Sequence, residues 1–170
     1  MINTKVEDIL NAQINKEFYS AYLYLAMSAY FDELGLKGFA NWTKIQAKEE
    51  MDHGMILFNY IIERDGKIDL QTIEAPYNDF HSPLQVFEMA MEHEKTVTGS
   101  IECVANLSEE ECDRATRHFI DWYISEQVEE EAQLSDVIKM IKMFGTDCPI
   151  LYHIDKELMT RQYKVHDYSK

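Results

Sequence analysis

A chain of 170 residues with only three prolines and six glycines is long enough for one compact domain with a single core, and too short for two. Its net charge of -15 argues against a nucleic-acid partner and suits cation binding. Three cysteines, Cys103, Cys112 and Cys148, show no CxxC spacing, which speaks against a disulfide framework or a cysteine metal site and fits a reducing compartment.

Long breaker-free intervals rich in Glu, Leu, Ala, Met, Gln and Lys predict an all-α fold. The first helix is expected over 4–34, capped by Asn3 or Thr4, with Val6, Leu10, Ile14, Ala21, Leu25 and Phe31 as its apolar stripe. Gly35 stops it, and a second helix follows over 36–65 with Gly66 just past its end. The segment 66–81 has no period and carries Pro76, Asn78 and Asp79. Ser82-Pro83 opens a third helix to about 108, a fourth spans 113–144 before Gly145, and Asp147 with Pro149 opens a short fifth over 147–162. A 30-residue helix measures about 45 Å, and 16 extended residues reach about 50–55 Å. The connection can therefore cross a bundle lengthwise and leave the second and third helices parallel. A four-helix bundle with one long crossover and a short C-terminal fifth helix is the expected architecture, in a single domain over 1–170. No basic stretch followed by an apolar one opens the chain, and no run reaches the roughly 18 apolar residues of a membrane helix. A cytoplasmic location with no membrane partner is expected.

Each long helix carries a glutamate inside its apolar stripe. Glu17 has Leu10, Ile14, Ala21, Tyr24 and Leu25 at helical offsets; Glu50 has Ala47, Gly54, Leu57 and Phe58. Around Glu94 lie Val86, Phe87, Ala90, Met91, Val97 and Ile101, and around Glu130 lie Trp122, Tyr123, Leu134, Val137 and Ile138. Burying one ionised carboxylate costs several kcal/mol unless compensated. Four of them, one per helix, call for a shared cation, and two divalent ions would neutralise the set.

Numbering alone tests whether they share a depth. In an antiparallel pair, two residues are level when the turn falls midway between them. The midpoint of Glu17 and His53 is 35, the glycine stop; Glu94 with Glu130 gives 112, and Glu94 with Gln127 about 110, both within the turn residues 108–113. Glu50 and His53 form an E-x-x-H pair on one face, able to offer one metal both oxygen and imidazole nitrogen. The fourth helix reads Gln127-x-x-Glu130 instead, so the two metal positions should differ. Glu17, Glu50 and His53 would hold one ion; Glu50, bridging, with Glu94 and Glu130 would hold the other. Gln127 would be a weak or outer ligand.

The strings Gln13-x-x-x-Glu17-x-Tyr19-Ser20, Glu49-Glu50-Met51-x-His53, His93-Glu94, Trp122-Tyr123-Ile124-Ser125-Glu126-Gln127-x-Glu129-Glu130-Glu131 and Leu151-Tyr152-x-Ile154-Asp155-Lys156-Glu157-Leu158 resemble the bacterial non-haem ferritins over nearly the whole chain. That resemblance implies a ferritin-like fold and an iron-storing function. It implies a ferroxidase centre of two irons at Glu17, Glu50, His53, Glu94, Gln127 and Glu130, with Tyr24 beside it. A third iron position at Glu49, Glu126 and Glu129 follows from the same source, as do Fe(II) with dioxygen or hydrogen peroxide as reactants and a homo-oligomeric shell of 24 subunits around a ferric mineral. The alternative is a bacterioferritin-like protein, or another di-iron carboxylate oxidase or peroxidase without storage. Bacterioferritins and rubrerythrins resemble a symmetric site with a second E-x-x-H, which Gln127 and Glu130 do not supply. Met51 stands where a bacterioferritin binds haem; it is read as filling a core or interface gap, and haem is not expected. Tyr24 can serve a metal ligand through its hydroxyl or be an ordinary buried tyrosine. Trp122 is read as a core aromatic, Glu109-Glu110-Glu111 as a charge cluster at a helix start, and His81, His93, His118, His153 and His166 as ordinary, without matching partners.

Overall fold

A computed structural model describes residues 2–145 and 148–165. Its helices are α1 (Thr4–Glu33), α2 (Lys37–Glu63), α3 (Pro83–Glu110), α4 (Arg114–Phe144) and α5 (Cys148–Leu158). Side-chain caps set three of the starts. Lys5 N donates to Asn3 Oδ1 at 2.9 Å, Gln85 N to Ser82 Oγ at 3.2 Å, and Thr116 N to Asp113 Oδ1 at 3.1 Å. The first cap is therefore Asn3, not Thr4.

The α1–α2 turn closes on Gly35, whose φ of 78° lies in the left-handed region that favours glycine. After α2 and α3 the chain uses non-glycine residues at positive φ, Asp65 (φ 54°) and Cys112 (φ 56°), while α4 ends on Gly145 (φ 82°). Gly66, expected to play that part after α2, instead lies against Ile61 and Glu7. α5 ends at Leu158, short of the expected 162, while the expected start at Asp147 lies outside the described residues.

Cross-helix contacts establish direction. Along α1 and α3, Gln13 pairs with Ser100, Ser20 with His93, and Tyr24 with Glu94, so the two run antiparallel. Between α2 and α4, Gln46 meets Glu130, the His53 carbonyl meets Tyr123, and Tyr60 meets Thr116, again antiparallel. With α1 and α2 joined by a tight turn, α2 and α3 are parallel, and 64–82 is the long crossover. It lies along α1, held by Lys67 N to Glu7 Oε2 (2.8 Å), Asp69 N to Asn11 Oδ1 (2.8 Å) and Asn15 Nδ2 to Thr72 O (3.2 Å), and delivers Phe80 against Tyr30. These side chains satisfy backbone groups that no helix satisfies.

The core is divided. One apolar cluster contains Tyr24, Met27, Ala47, Ala90 and Leu134; the other contains Ile14, Ile56, Leu57, Val97 and Tyr123. On every long helix the break falls at one level, between 14 and 23 on α1, 47 and 56 on α2, 90 and 97 on α3, and 123 and 134 on α4. A polar layer thus separates two greasy ones.

Leu25, assigned above to the buried stripe of α1, is 45% exposed, because Tyr24 takes the inward position of that turn. Met51 is 46% exposed and fills no core gap in this chain. Glu109 and Glu110 end α3 and Glu111 caps it, so this acidic run lies at a helix C-terminus, not at a start. The dipole disfavours acids there, and Lys5 beside Glu111 and Arg117 beside Glu109 offset it. No helix among the described residues is long and apolar enough to cross a membrane.

α5 packs on α2 through one buried carboxylate. Asp155 Oδ1 accepts from Gly38 N at 2.6 Å and Phe39 N at 3.1 Å, meeting donors that the start of α2 leaves over. Gly38 approaches so closely that a Cβ there would stand 1.6 Å from the Asp155 carbonyl oxygen. Gly38→Ala is therefore expected to push α5 off α2 without unfolding the bundle. Hydrogen exchange checks this: amides of 148–158 should lose protection while those of α1–α4 keep theirs.

Candidate metal centre

In the polar layer, Glu17, Glu50, His53 and Glu94 are each at most 1% exposed, with Gln127 and Glu130 at 3% and 4%. One set of ligand atoms, from Glu17, Glu50 and His53, lies within 4.8 Å of one another; a second set comes from Glu50, Glu94 and Glu130. Glu50 belongs to both, so its carboxylate could serve two cations. His53 turns Nδ1 inward, 3.5 Å from Glu50 Oε2 and 4.0 Å from Glu130 Oε1. Its ring is walled edge-on by Trp122 and Tyr123, and Tyr123 donates its hydroxyl proton to the His53 carbonyl at 2.6 Å.

Neutral donors aim the carboxylates. Gln13 Nε2 donates to Glu17 Oε1 at 2.8 Å, and Ser100 Oγ fixes that amide by donating to Gln13 Oε1 at 2.7 Å. Gln46 Nε2 donates to Glu50 Oε1 at 2.9 Å and Glu130 Oε1 at 2.6 Å. The Tyr24 hydroxyl donates to Glu94 Oε1 at 2.6 Å. Gln127 turns its nitrogen to Glu94 Oε2 at 3.2 Å and Thr98 Oγ1 at 3.2 Å, and so donates to a carboxylate of the cluster. Gln13 and Gln46 are sequence-legible only in retrospect: each stands one helical turn before a buried glutamate.

The electrostatics are those of a crowded, buried acidic cluster. Burial is the largest cause that raises the pKa of Glu17, Glu50, Glu94 and Glu130. Glu50 and Glu130 go furthest, well above the usual carboxylate range, because other carboxylates of the cluster add repulsion. Burial also pushes the Tyr24 hydroxyl up, with Glu94 the next cause, so it stays a proton donor. Glu50 Oε2 and Glu130 Oε2 accept no hydrogen bond. Hard oxygen donors with one imidazole suit iron in either oxidation state, and zinc as well.

The expected third position is less assembled. Glu49, Glu126 and Glu129 line one open cleft of about 450 Å³ beside Glu130. Glu129 is exposed and accepts from Gln133 Nε2 at 2.9 Å, while Glu49 is paired with Arg161 at 2.5 Å. Among the described residues, Glu126 instead groups with His53 and Glu130. His93 is not without a partner: its Nε2 lies 2.7 Å from Ser20 Oγ and its ring 5.7 Å from that of Tyr19. His166 lies outside the described residues.

Residues 7–144 match the ferritin-like domain family. The chain is 37% identical over 163 residues to the bacterial non-heme ferritin of Staphylococcus aureus strain MRSA252, covering 96% of this chain and 98% of that protein. It is 38% identical over 161 residues to that of Bacteroides fragilis strain 638R, covering 95% and 100%. Among solved structures, an Archaeoglobus fulgidus ferritin with an open pore superimposes with a TM-score of 0.93 at 45% identity, covering 95% of this chain and 98% of that one. A form of the same ferritin engineered to close gives 0.95 at 44%, covering 96% and 100%. With matches of this extent, and a four-helix bundle whose middle layer is acidic, the chain belongs to the ferritin family.

Proposed function

We propose that this protein stores iron, oxidising Fe(II) at the buried centre and depositing the ferric product inside a shell of 24 identical subunits. One observation carries the reading: glutamates from four helices converge at one level, and two of their oxygens meet no donor. In this reading Fe(II) is the substrate. Glu17, Glu50 and His53 hold one ion, and Glu50, Glu94 and Glu130 hold the second. Each Fe(II) gives up one electron to dioxygen or hydrogen peroxide. Hard carboxylate ligands favour the ferric state, which assists that transfer.

Tyr24 holds Glu94 in place and Gln46 holds Glu50 and Glu130, so the ligands are pre-aimed before iron arrives. Glu49, Glu126 and Glu129 would receive a further iron on its way out. The cleft they line is acidic and open, which suits a cation in transit better than an organic substrate. Exposed large apolar side chains, Tyr22 and Leu25 on α1 and Met51 and Met55 on α2, support assembly with further copies. A cytoplasmic site of action belongs to the same reading.

Aerobic Fe(II) loading followed by size-exclusion chromatography with iron detection tests it. Iron should co-elute with a particle of twenty-four 20.0 kDa chains, about 480 kDa. Iron leaving the column apart from protein, or with single chains, would end the storage reading.

A further inference from the structure

Beyond α5 the chain folds back along α2. Asn41 Nδ2 donates to Met159 O at 3.4 Å and to Arg161 O at 3.1 Å, and the Tyr163 hydroxyl donates to Asp52. This strap lays the Arg161 guanidinium on the Trp42 ring, 4.3 Å from its centroid. From there Nη1 donates to Trp42 O at 3.3 Å, and Nη2 donates to Gln46 Oε1 at 2.8 Å and to Glu49 Oε2 at 2.5 Å. The Arg161 side chain is 15% exposed and that of Glu49 10%, so this pair is shielded from the screening that weakens surface ion pairs.

Two consequences follow from that placement. The guanidinium neutralises Glu49 at the wall between the open cleft and the metal centre. By donating to Gln46 Oε1 it also fixes that amide, so Gln46 Nε2 faces Glu50 and Glu130. Glu130 lines the same cleft, is 4% exposed, and has an Oε2 that no donor meets. Arg161 lines that cleft too and gives its hydrogen bonds to Trp42, Gln46 and Glu49, none to Glu130.

We propose that Arg161 is a resident cation that keeps Glu49 from acting as a metal ligand, so that a divalent ion takes the outer position only by displacing the guanidinium. The inference rests on the two-cation centre proposed above. A guanidinium suits the part: its planar fork reaches Glu49, Gln46 and Trp42 O together, which a lysine ammonium on its flexible stem does less well. The strap has its own anchors at Asn41 and Asp52, so the side chain can swing aside while the tail stays docked.

The test is anaerobic Co(II) titration of the assembled protein, followed by calorimetry and by the visible absorption of bound Co(II). Wild type should take two ions tightly and an outer one weakly. Arg161→Met keeps the apolar contact with Trp42 and removes the charge, and should tighten the outer step by at least about tenfold, a larger change than in the inner two steps, which feel Arg161 only through Gln46. Arg161→Gln is the second neutral variant, and the gain must appear in whichever of the two assembles. Arg161→Lys should restore most of the wild-type weakness, and Glu49→Gln added to the neutral variant should cancel the gain. An outer step that does not move, or a gain that survives Glu49→Gln, overturns the role of Arg161 alone. Absence of the two tight ions in wild type overturns the underlying centre.

Discussion

Glu50→Ala combined with His53→Ala is expected to slow Fe(II) oxidation by at least about a hundredfold while leaving the assembled particle intact. Glu50 is common to both ligand groups and His53 supplies the nitrogen of one, so their loss dismantles both metal positions. The fold should tolerate it for reasons that partly cancel. Truncating His53 opens a cavity under Trp122 and Tyr123, which costs about 2–3 kcal/mol by analogy with other buried truncations. Removing Glu50 takes away the carboxylate that Glu94 and Glu17 repel, which offsets part of that cost. Tyr123 bonds the backbone carbonyl of residue 53, so that contact survives the change of side chain. Stopped-flow ultraviolet absorbance after anaerobic mixing with Fe(II) and then air reads the rate, and size-exclusion chromatography reads assembly. Wild-type kinetics in an intact particle would refute the assigned centre.

Much of the architecture was legible because bundle geometry writes itself into spacing. Helix faces show as periodicity, and the level of Glu17 with His53 follows from Gly35 lying midway, where the chain turns with φ 78°. On the second hairpin the midpoint 112 coincides with Cys112, itself the left-handed residue of the turn. What periodicity does not carry is which residue of an apolar pair points inward, and so Leu25 was placed in the core that Tyr24 fills. Charge runs mislead for a similar reason: Glu109-Glu110-Glu111 suits a helix start by composition, yet it ends α3 because Asp113 caps the next helix. The supporting hydrogen bonds were hidden more deeply. Arg161 reaches Glu49 across 112 positions and Asp155 reaches Gly38 across 117. Such contacts depend on how α5 and its tail pack, and no local pattern announces them.

The metal-free protein should lose stability as pH rises from about 5 to 8, and the zinc-loaded protein should gain it. Glu50 and Glu130 have folded-state pKa values well above the ordinary 4.5, chiefly through burial. As pH climbs past that ordinary value the unfolded chain releases these protons while the folded chain retains them. The unfolded state then binds fewer protons, and stability falls with pH across the window that opens near 4.5 and closes at the raised folded values. Metal ligation reverses the sign, because the ion binds only the deprotonated carboxylates and competes with their protons. Glu50→Gln with Glu130→Gln removes two of the four buried charges and keeps the Oε1 acceptors that Gln46 uses. At pH 8 that variant should be more stable than wild type without metal by about 2 kcal/mol or more, in line with neutral replacement of buried charges elsewhere. It should also have a flatter pH profile and no stabilisation by zinc. Denaturant unfolding of metal-free and zinc-loaded protein between pH 5 and 8 provides the comparison. Parallel profiles for wild type and variant would mean that the repulsion lies somewhere other than this polar layer.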